Sequence, residues 1–251
     1  MNILAFDTCF DACSAAVLTD SHQTVSRFEP MRMGHAEALI PMILAVLTEA
    51  GLTPVQIDRI AVTRGPGTFT GTRIGLSAAR AMCLATGSQG IGFSSLQVIA
   101  AANLNTASAK DILIVARPER RGTHDTQFFD CTGQPTGEPI AATPDQIVSQ
   151  LVDQVAANSH ARVVIAGAGA DELASSIGKL NSQLVVEAVG LPASPQHTEP
   201  NAKLLLALAS GDISHGSPAL TPLYLRPADA KPSSKSPVAR IGDASPSGGL
   251  Q

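Results

Sequence analysis

The spacing of apolar residues along the chain changes its rhythm several times, and each change marks an element. Residues 2–8, built around Ile3, Leu4, Ala5 and Phe6, read as a short buried strand ending at Asp7-Thr8. Residues 13–20 and 24–30 read as two more strands. Cys9-Phe10-Asp11-Ala12 forms a hairpin-like turn between the first two, and Pro30 closes the third. From His35 to Ala50 the rhythm becomes helical. Leu39, Met42, Ile43, Val46 and Leu47 recur at three and four, with Gly51 as the C′ glycine. A strand at 59–63, a helix at 72–86, a strand near 90–93 and a helix from Ser94 to about Asn103 follow, with Ser94 as its N-cap.

After the polar connector 104–110 the pattern restarts. Strands are predicted at 111–116, 123–130, 162–166 and 183–188. Helices are predicted from Thr143 to about Ala156 and from Glu199 to Ser210, with a last short strand at 223–226. The segments 3–20 and 112–130 look like degenerate copies of one hairpin. Strands alternating with helices in both halves predict an α/β protein of two lobes meeting at a cleft. From about Ala228 onward Pro, Ser, Gly and Lys dominate, the composition of a tail without a fixed fold.

The run from Arg64 to Gly75 joins a strand to a helix start. Glycines at 65, 67, 71 and 75 alternate with Thr68, Thr70 and Thr72. Unpaired N–H groups at a helix start suit an anion. The run has neither the Lys-Ser/Thr of a Walker loop nor the Rossmann glycine spacing. Three readings stay open: a phosphate cradle, a tight structural turn, or part of a protein interface.

Composition narrows the function classes. The 251 residues carry a net charge of −4, with no Trp, one Tyr and seven Phe. No strongly basic patch is visible, which argues against autonomous nucleic-acid binding. Cys9, Cys13, Cys83 and Cys131 lack metal-pair spacing and read as free thiols of a reducing compartment. No leader or long apolar span is visible, so the expectation is a soluble cytoplasmic protein. Neither a G-x-S-x-G elbow nor an H-E-x-x-H helix is present. His197 and His215 sit in Pro/Gly-rich stretches and read as exposed polar residues.

The hairpin Ile3–Thr8 with Ala12–Val17 resembles the first phosphate hairpin of the actin-like ATPase superfamily. Gly34-His35-Ala36-Glu37, the Arg64–Gly75 run, and Pro222-Leu223-Tyr224-Leu225-Arg226-Pro227-Ala228-Asp229-Ala230-Lys231 narrow the likeness. Together they resemble the bacterial TsaB (YeaZ) family. The resemblance is strong over 1–104, weak beyond, and returns at 222–231. It implies two actin-like (ASKHA, ribonuclease H-like) lobes with mixed sheets flanked by helices, the second degenerate. The implied bounds are 1–104, 105–227 and a tail at 228–251.

The family also implies a role. Its members are non-catalytic scaffolds or activators that bind the threonylcarbamoyl transferase TsaD, with the ATPase TsaE. The pathway makes threonylcarbamoyladenosine next to the anticodon of tRNAs reading codons that start with A. An autonomous actin-like phosphotransferase is the alternative. The resemblance implies no firmly bound cofactor, ATP or ADP only at the TsaD junction and tRNA contact only within the complex; when TsaD is absent the same apolar helical stripe is expected to bury itself in a homodimer. Its partner-binding helices are 35–50 and 72–86. The residues expected at that interface are Leu39, Met42, Ile43, Val46, Ile74, Ser77, Ala78, Ala81 and Met82, with the alternative that these stripes face their own sheet. Asp7, Thr8, Gly65, Gly67, Thr68, Thr70, Gly71 and Arg73 are the expected loop or nucleotide contacts.

Two departures count against chemistry of the chain's own. The second lobe offers Val115-Ala116-Arg117 where the first ends in Asp7-Thr8, so only one lobe carries a carboxylate there. TsaD-like proteins use two histidines four residues apart as metal ligands, whereas His35 is followed by Leu39 at that spacing. His35 is therefore expected to pair with Glu37 or a backbone carbonyl, and no metal is expected. Pro118 stands where the family commonly has Asp in an Asp-Ala-Arg-x-Gly run. Arg117, Arg120 and Arg121 read as a solvated basic turn.

Overall fold

The computed structural model describes residues 1–104, 111–119, 122–157, 162–181, 185–188, 200–211 and 216–226. The expected connector at 105–110, the tail from 228, Arg120, Arg121, His197, His215 and Lys231 lie outside the described residues.

The first half runs β1 (Ile3–Asp7), β2 (Ala12–Leu18), β3 (Thr24–Pro30), α1 (His35–Glu49), β4 (Arg59–Thr63), α2 (Phe69–Thr86), β5 (Gln89–Phe93) and α3 (Ser95–Ala102). The second runs β6 (Ile112–Pro118), β7 (His124–Phe129), β8 (Ile140–Ala142), α4 (Pro144–Ala157), β9 (Val163–Ala166), α5 (Ala170–Leu180), β10 (Val186–Ala188) and α6 (Ala202–Ser210). Each half builds one five-stranded sheet, ordered β3-β2-β1-β4-β5 and β10-β9-β6-β7-β8. Read in the opposite direction, the second order has the same topology as the first. In both, an antiparallel hairpin continues into parallel strands. The weak repeat of 3–20 and 112–130 is therefore a repeat of the whole sheet. Parallel neighbours need helical crossovers, which α1, α2, α4 and α5 supply.

Each helix pair buries one face on its own sheet. Under α1 and α2 lie Leu4, Phe6, Val17, Ile60 and Val62, with Leu39, Ile43, Val46 and Leu76 from the helices. Under α4 and α5 lie Ile114, Phe128 and Ile165, with Ile147, Leu151, Leu173 and Ile177. The remaining helices tie the halves together. α3 packs Leu96, Ile99 and Ala100 against Leu113, Phe129 and Val164 of the second sheet. α6 returns to the first sheet, with Ala202, Leu205 and Ala209 against Ile3, Ala5 and Ile91.

Some local expectations change. α5 and the short β8 are not among the predicted elements. The segment 223–226 is not a strand: the Leu223 N–H donates to the Arg64 carbonyl at 2.7 Å, without a ladder. α6 and residues 216–226 fall within the expected second lobe, 105–227, but pack on the first. Ser217 and Gly92 exchange backbone bonds at 2.8 Å, and Leu220 packs into the core under α1 and α2.

Candidate functional site

The glycine-rich run lies across the first hairpin, and sterics explain its composition. A Cβ on Gly71 would stand 2.0 Å from the Thr8 carbonyl oxygen, so only glycine lets the helix start approach β1 this closely. Thr8 Oγ1 donates to the Gly71 carbonyl at 2.7 Å. Thr68 caps α2, its hydroxyl accepting from the Gly71 N–H at 3.1 Å. The Thr68 N–H donates to the Cys9 carbonyl at 2.8 Å, and the Thr72 N–H to the Thr68 carbonyl at 3.0 Å. The Gly65 carbonyl accepts from the Ser95 N–H at 2.9 Å. The Thr68 and Gly71 amides, which an anion would use, are thus spent inside the protein. Of the three readings of the run, the hydrogen bonds favour the structural turn.

Asp7 sits beneath this turn, fully buried. Its Oδ1 accepts from the Thr63 hydroxyl and from the Cys9 N–H, while Oδ2 has no partner among the described residues. Burial outweighs these bonds and pushes its pKa up to about 7. The Cys9 thiol donates to Thr63 Oγ1 at 3.2 Å, and burial beside Asp7 pushes its pKa up to about 12. A thiol so disposed is a poor nucleophile at neutral pH.

The hairpin tip closes the junction behind Asp7. Phe10 is buried among Leu96, Ile99, Leu113, Val115 and Phe129, and the Arg117 guanidinium lies 3.6 Å above its ring. His35 Nε2 donates to the Phe10 carbonyl at 2.7 Å, the backbone pairing expected of it. Among the described residues no group of His, Cys, Asp and Glu is placed to hold a metal ion.

The structure reverses the expected faces of α1. Leu39, Met42, Ile43 and Val46 are buried in the chain's own core, so in this structure they are not available to a partner. They point inward because the sheet takes the strongest apolar stripe. On α2, Ile74, Ala78 and Met82 are half-buried against the same core, whereas Ser77 and Ala81 are exposed. The outer surface instead carries Ile40 at 45% exposure and Leu44 at 49%, one turn apart on α1, and Leu84 at 89% on α2. Ala36, Pro41, Ala45 and Ala85 are exposed beside them. Sequence reasoning missed Ile40 and Leu44 because α1 is apolar almost all round, leaving two stripes of similar strength.

Arg73 makes the polar contact at the loop. Its Nε donates to the Tyr224 hydroxyl at 2.9 Å, and its guanidinium lies 3.5 Å from the Phe69 ring centre. Phe69 and Tyr224 stack with centroids 5.9 Å apart. This exposed cluster pins residues 216–226 to the start of α2, aided by an Arg80 bond to the Leu220 carbonyl. Thr70 is exposed beside it, and Gly65 and Gly67 lie under the turn.

Comparison with known proteins agrees with this geometry. The sequence model of the TsaD family, tRNA N6-adenosine threonylcarbamoyltransferase, matches residues 29–118. TsaB of Escherichia coli K12 is 40% identical over 101 residues, which are 40% of this chain and 43% of that protein's length. An uncharacterized protein of Mycobacterium tuberculosis H37Rv is 31% identical over 234 residues, covering 92% of this chain and 94% of its own. A Pseudomonas aeruginosa crystal structure, described as an uncharacterized protein with similarity to peptidase YEAZ, superposes with a TM-score of 0.70 at 26% identity. That match covers 90% of this chain and 99% of the other. A hexokinase of the ROK type from Thermus thermophilus shares the fold alone, at 13% identity and a TM-score of 0.50. The likeness to TsaB proteins and to a full-length YeaZ-like crystal structure places the chain in the TsaB (YeaZ) family, with a fold shared by the ROK hexokinase.

Proposed function

We propose that this chain is a non-catalytic subunit in the synthesis of threonylcarbamoyladenosine in tRNA, and that it acts by holding TsaD. The single observation that carries the proposal is the outer face of α1 and α2, where Ile40, Leu44 and Leu84 stand exposed with small residues around them. Such a face on a folded lobe fits a helical partner of the same build. The buried, partly neutral Asp7 supports a role without phosphoryl transfer of its own, since a magnesium-binding carboxylate must be ionised and reachable.

The physical logic is population shift. A subunit that prefers the competent conformation of TsaD raises the occupancy of that conformation. TsaE joins this assembly, tRNA is met only there, and any ATP or ADP sits at the junction with TsaD. Alone, the chain covers the same face with a second copy across a two-fold axis. Among the described residues no helix is long and apolar enough to cross a membrane, which is compatible with work in the cytoplasm.

The test is reconstitution of tRNA modification with TsaD and TsaE from the same source. Modification is expected to rise when the chain is added and to fall back with Leu44→Glu. Equal modification with and without the chain would overturn the proposal. ATP turnover by the isolated chain that disappears in Asp7→Ala would favour the phosphotransferase reading instead.

A further inference from the structure

The sheet edges of the molecule are finished in different ways. β8 and β10 end the second sheet with three residues each. β5 is covered where Gly92 and Ser217 exchange backbone bonds at 2.8 Å. β3 has seven residues, and among the described residues its only strand neighbour is β2. Its outer N–H and C=O groups point away from the sheet, and a long edge of this kind is a template for one more strand.

A groove of about 400 Å³ lies beside this edge, between β3 and α1. Val25 is buried in the core under α1, so Arg27 and Glu29, two and four residues on, stand on the same side of the sheet. Arg27 pairs with Glu49, the last residue of α1, and closes one end of the groove. Pro41, Met42 and Ala45 line its middle. Glu29 and Glu37, in the first turn of α1, stand exposed at the other end. Among the described residues neither carboxylate forms an ion pair. A strand added to an edge sends every second side chain into such a groove. This groove suits an apolar residue followed, about 7 Å further along at i+2, by a cation. An acidic segment is repelled, and a purely apolar one leaves both carboxylates unpaired.

The chain itself carries that pattern. Residues 228–251 contain two β-branched residues, Val238 and Ile241, both in the proline-free run 238–245. Strand addition needs N–H donors, which proline lacks. Val238 and Arg240 are two apart and share one face of a strand. Val238 follows Arg226 by twelve residues, a reach of about 40 Å when extended, whereas the whole of α1 is about 22 Å long. The path is direct, because Tyr224 is held at the start of α2, and Glu37 lines both this groove and the hollow between the starts of α1 and α2. We infer that residues 238–242 of the chain's own tail add to β3 as a sixth strand of the first sheet. Val238 lies over Pro41, Met42 and Ala45, and Arg240 reaches Glu29 and Glu37. Since β3 also runs towards the acidic end, the added strand is parallel to it. The groove flanks the face that carries Ile40 and Leu44 without including them, and the inference stands or falls without TsaD.

The experiment is ¹⁵N-detected hydrogen exchange on the full chain, as wild type and as Arg240→Glu. The β3 amides that face away from β2 are expected to exchange at least about tenfold faster in the variant, while those that face β2 keep their rates. Glu37→Arg should loosen the same outer amides, and its combination with Arg240→Glu should restore their protection. Equal exchange of the outer amides in wild type and Arg240→Glu would overturn the inference. So would protection that rises with protein concentration, the mark of a second copy's tail, or a double variant no better protected than the single ones.

Discussion

The two helix pairs of the molecule have the same topology and opposite outer surfaces. α1 and α2 lie on the first sheet as α4 and α5 lie on the second, each pair burying an apolar stripe beneath it. Outward, α4 and α5 present Asp145, Gln146, Ser149, Gln150, Asp171, Glu172 and Lys179, with Val152 and Leu180 as isolated apolar residues. α1 and α2 expose the apolar or small residues Ala36, Ile40, Leu44, Ala81, Leu84 and Ala85 together with the charged Glu37, Glu49, Arg73 and Arg80. The inner faces are constrained by the sheet and therefore agree. The outer faces are free to differ, and the proposed docking of a partner on the first lobe rests on that difference.

Breaking the inner face should have the largest effect. Val46→Asp places a carboxylate in the core under α1 and is expected to cost about 3–5 kcal/mol, read as a large drop in the denaturant midpoint. Gly71→Ala comes next. The added Cβ meets the Thr8 carbonyl, and backbone must move to admit it, at a cost of about 2–4 kcal/mol. By contrast, Leu44→Glu on the outer face should change stability by less than about 1 kcal/mol while abolishing partner binding.

Asp7 sharpens the comparison between lobes, because the second hairpin has no carboxylate at the matching place. Its folded pKa of about 7 lies above the ordinary value of 3.8, so the folded state binds the extra proton between these values. Stability should therefore fall as pH rises from about 4 to about 7, and the penalty is complete above that window. Asp7→Asn should flatten this part of the profile, measured as the denaturant midpoint against pH. The smallest effect is expected at the exposed cluster on α2. Tyr224→Phe removes one hydrogen bond to Arg73 and should cost less than about 1 kcal/mol in thermal unfolding.

Much of the fold is legible in the sequence because its signals are local. The Ser94 cap is used as read, its hydroxyl accepting from the Leu96 N–H at 3.2 Å, and Gly51 follows the end of α1. α2 begins three residues before the expected start because Thr68, not the apolar rhythm, sets its first turn. α5 is hard to read because only Ala170, Leu173 and Ile177 mark its inner face, and Gly167 and Gly169 ahead of it suggest a loop. Leu223-Tyr224-Leu225 alternates like a strand, yet Tyr224 is held by the side chains of Phe69 and Arg73 rather than by a ladder. The site was less legible than the fold. In α1 the stripes at Leu39-Ile43-Val46 and Ile40-Leu44 differ by one residue, and only the position of the sheet decides which is buried.

The most direct test of the account is the affinity of the chain for TsaD from the same source, measured by calorimetry for the wild type and for Leu44→Glu. The account predicts a variant that melts within a few degrees of the wild type and binds TsaD at least about a hundredfold more weakly. A folded variant that binds TsaD as tightly as the wild type would contradict it.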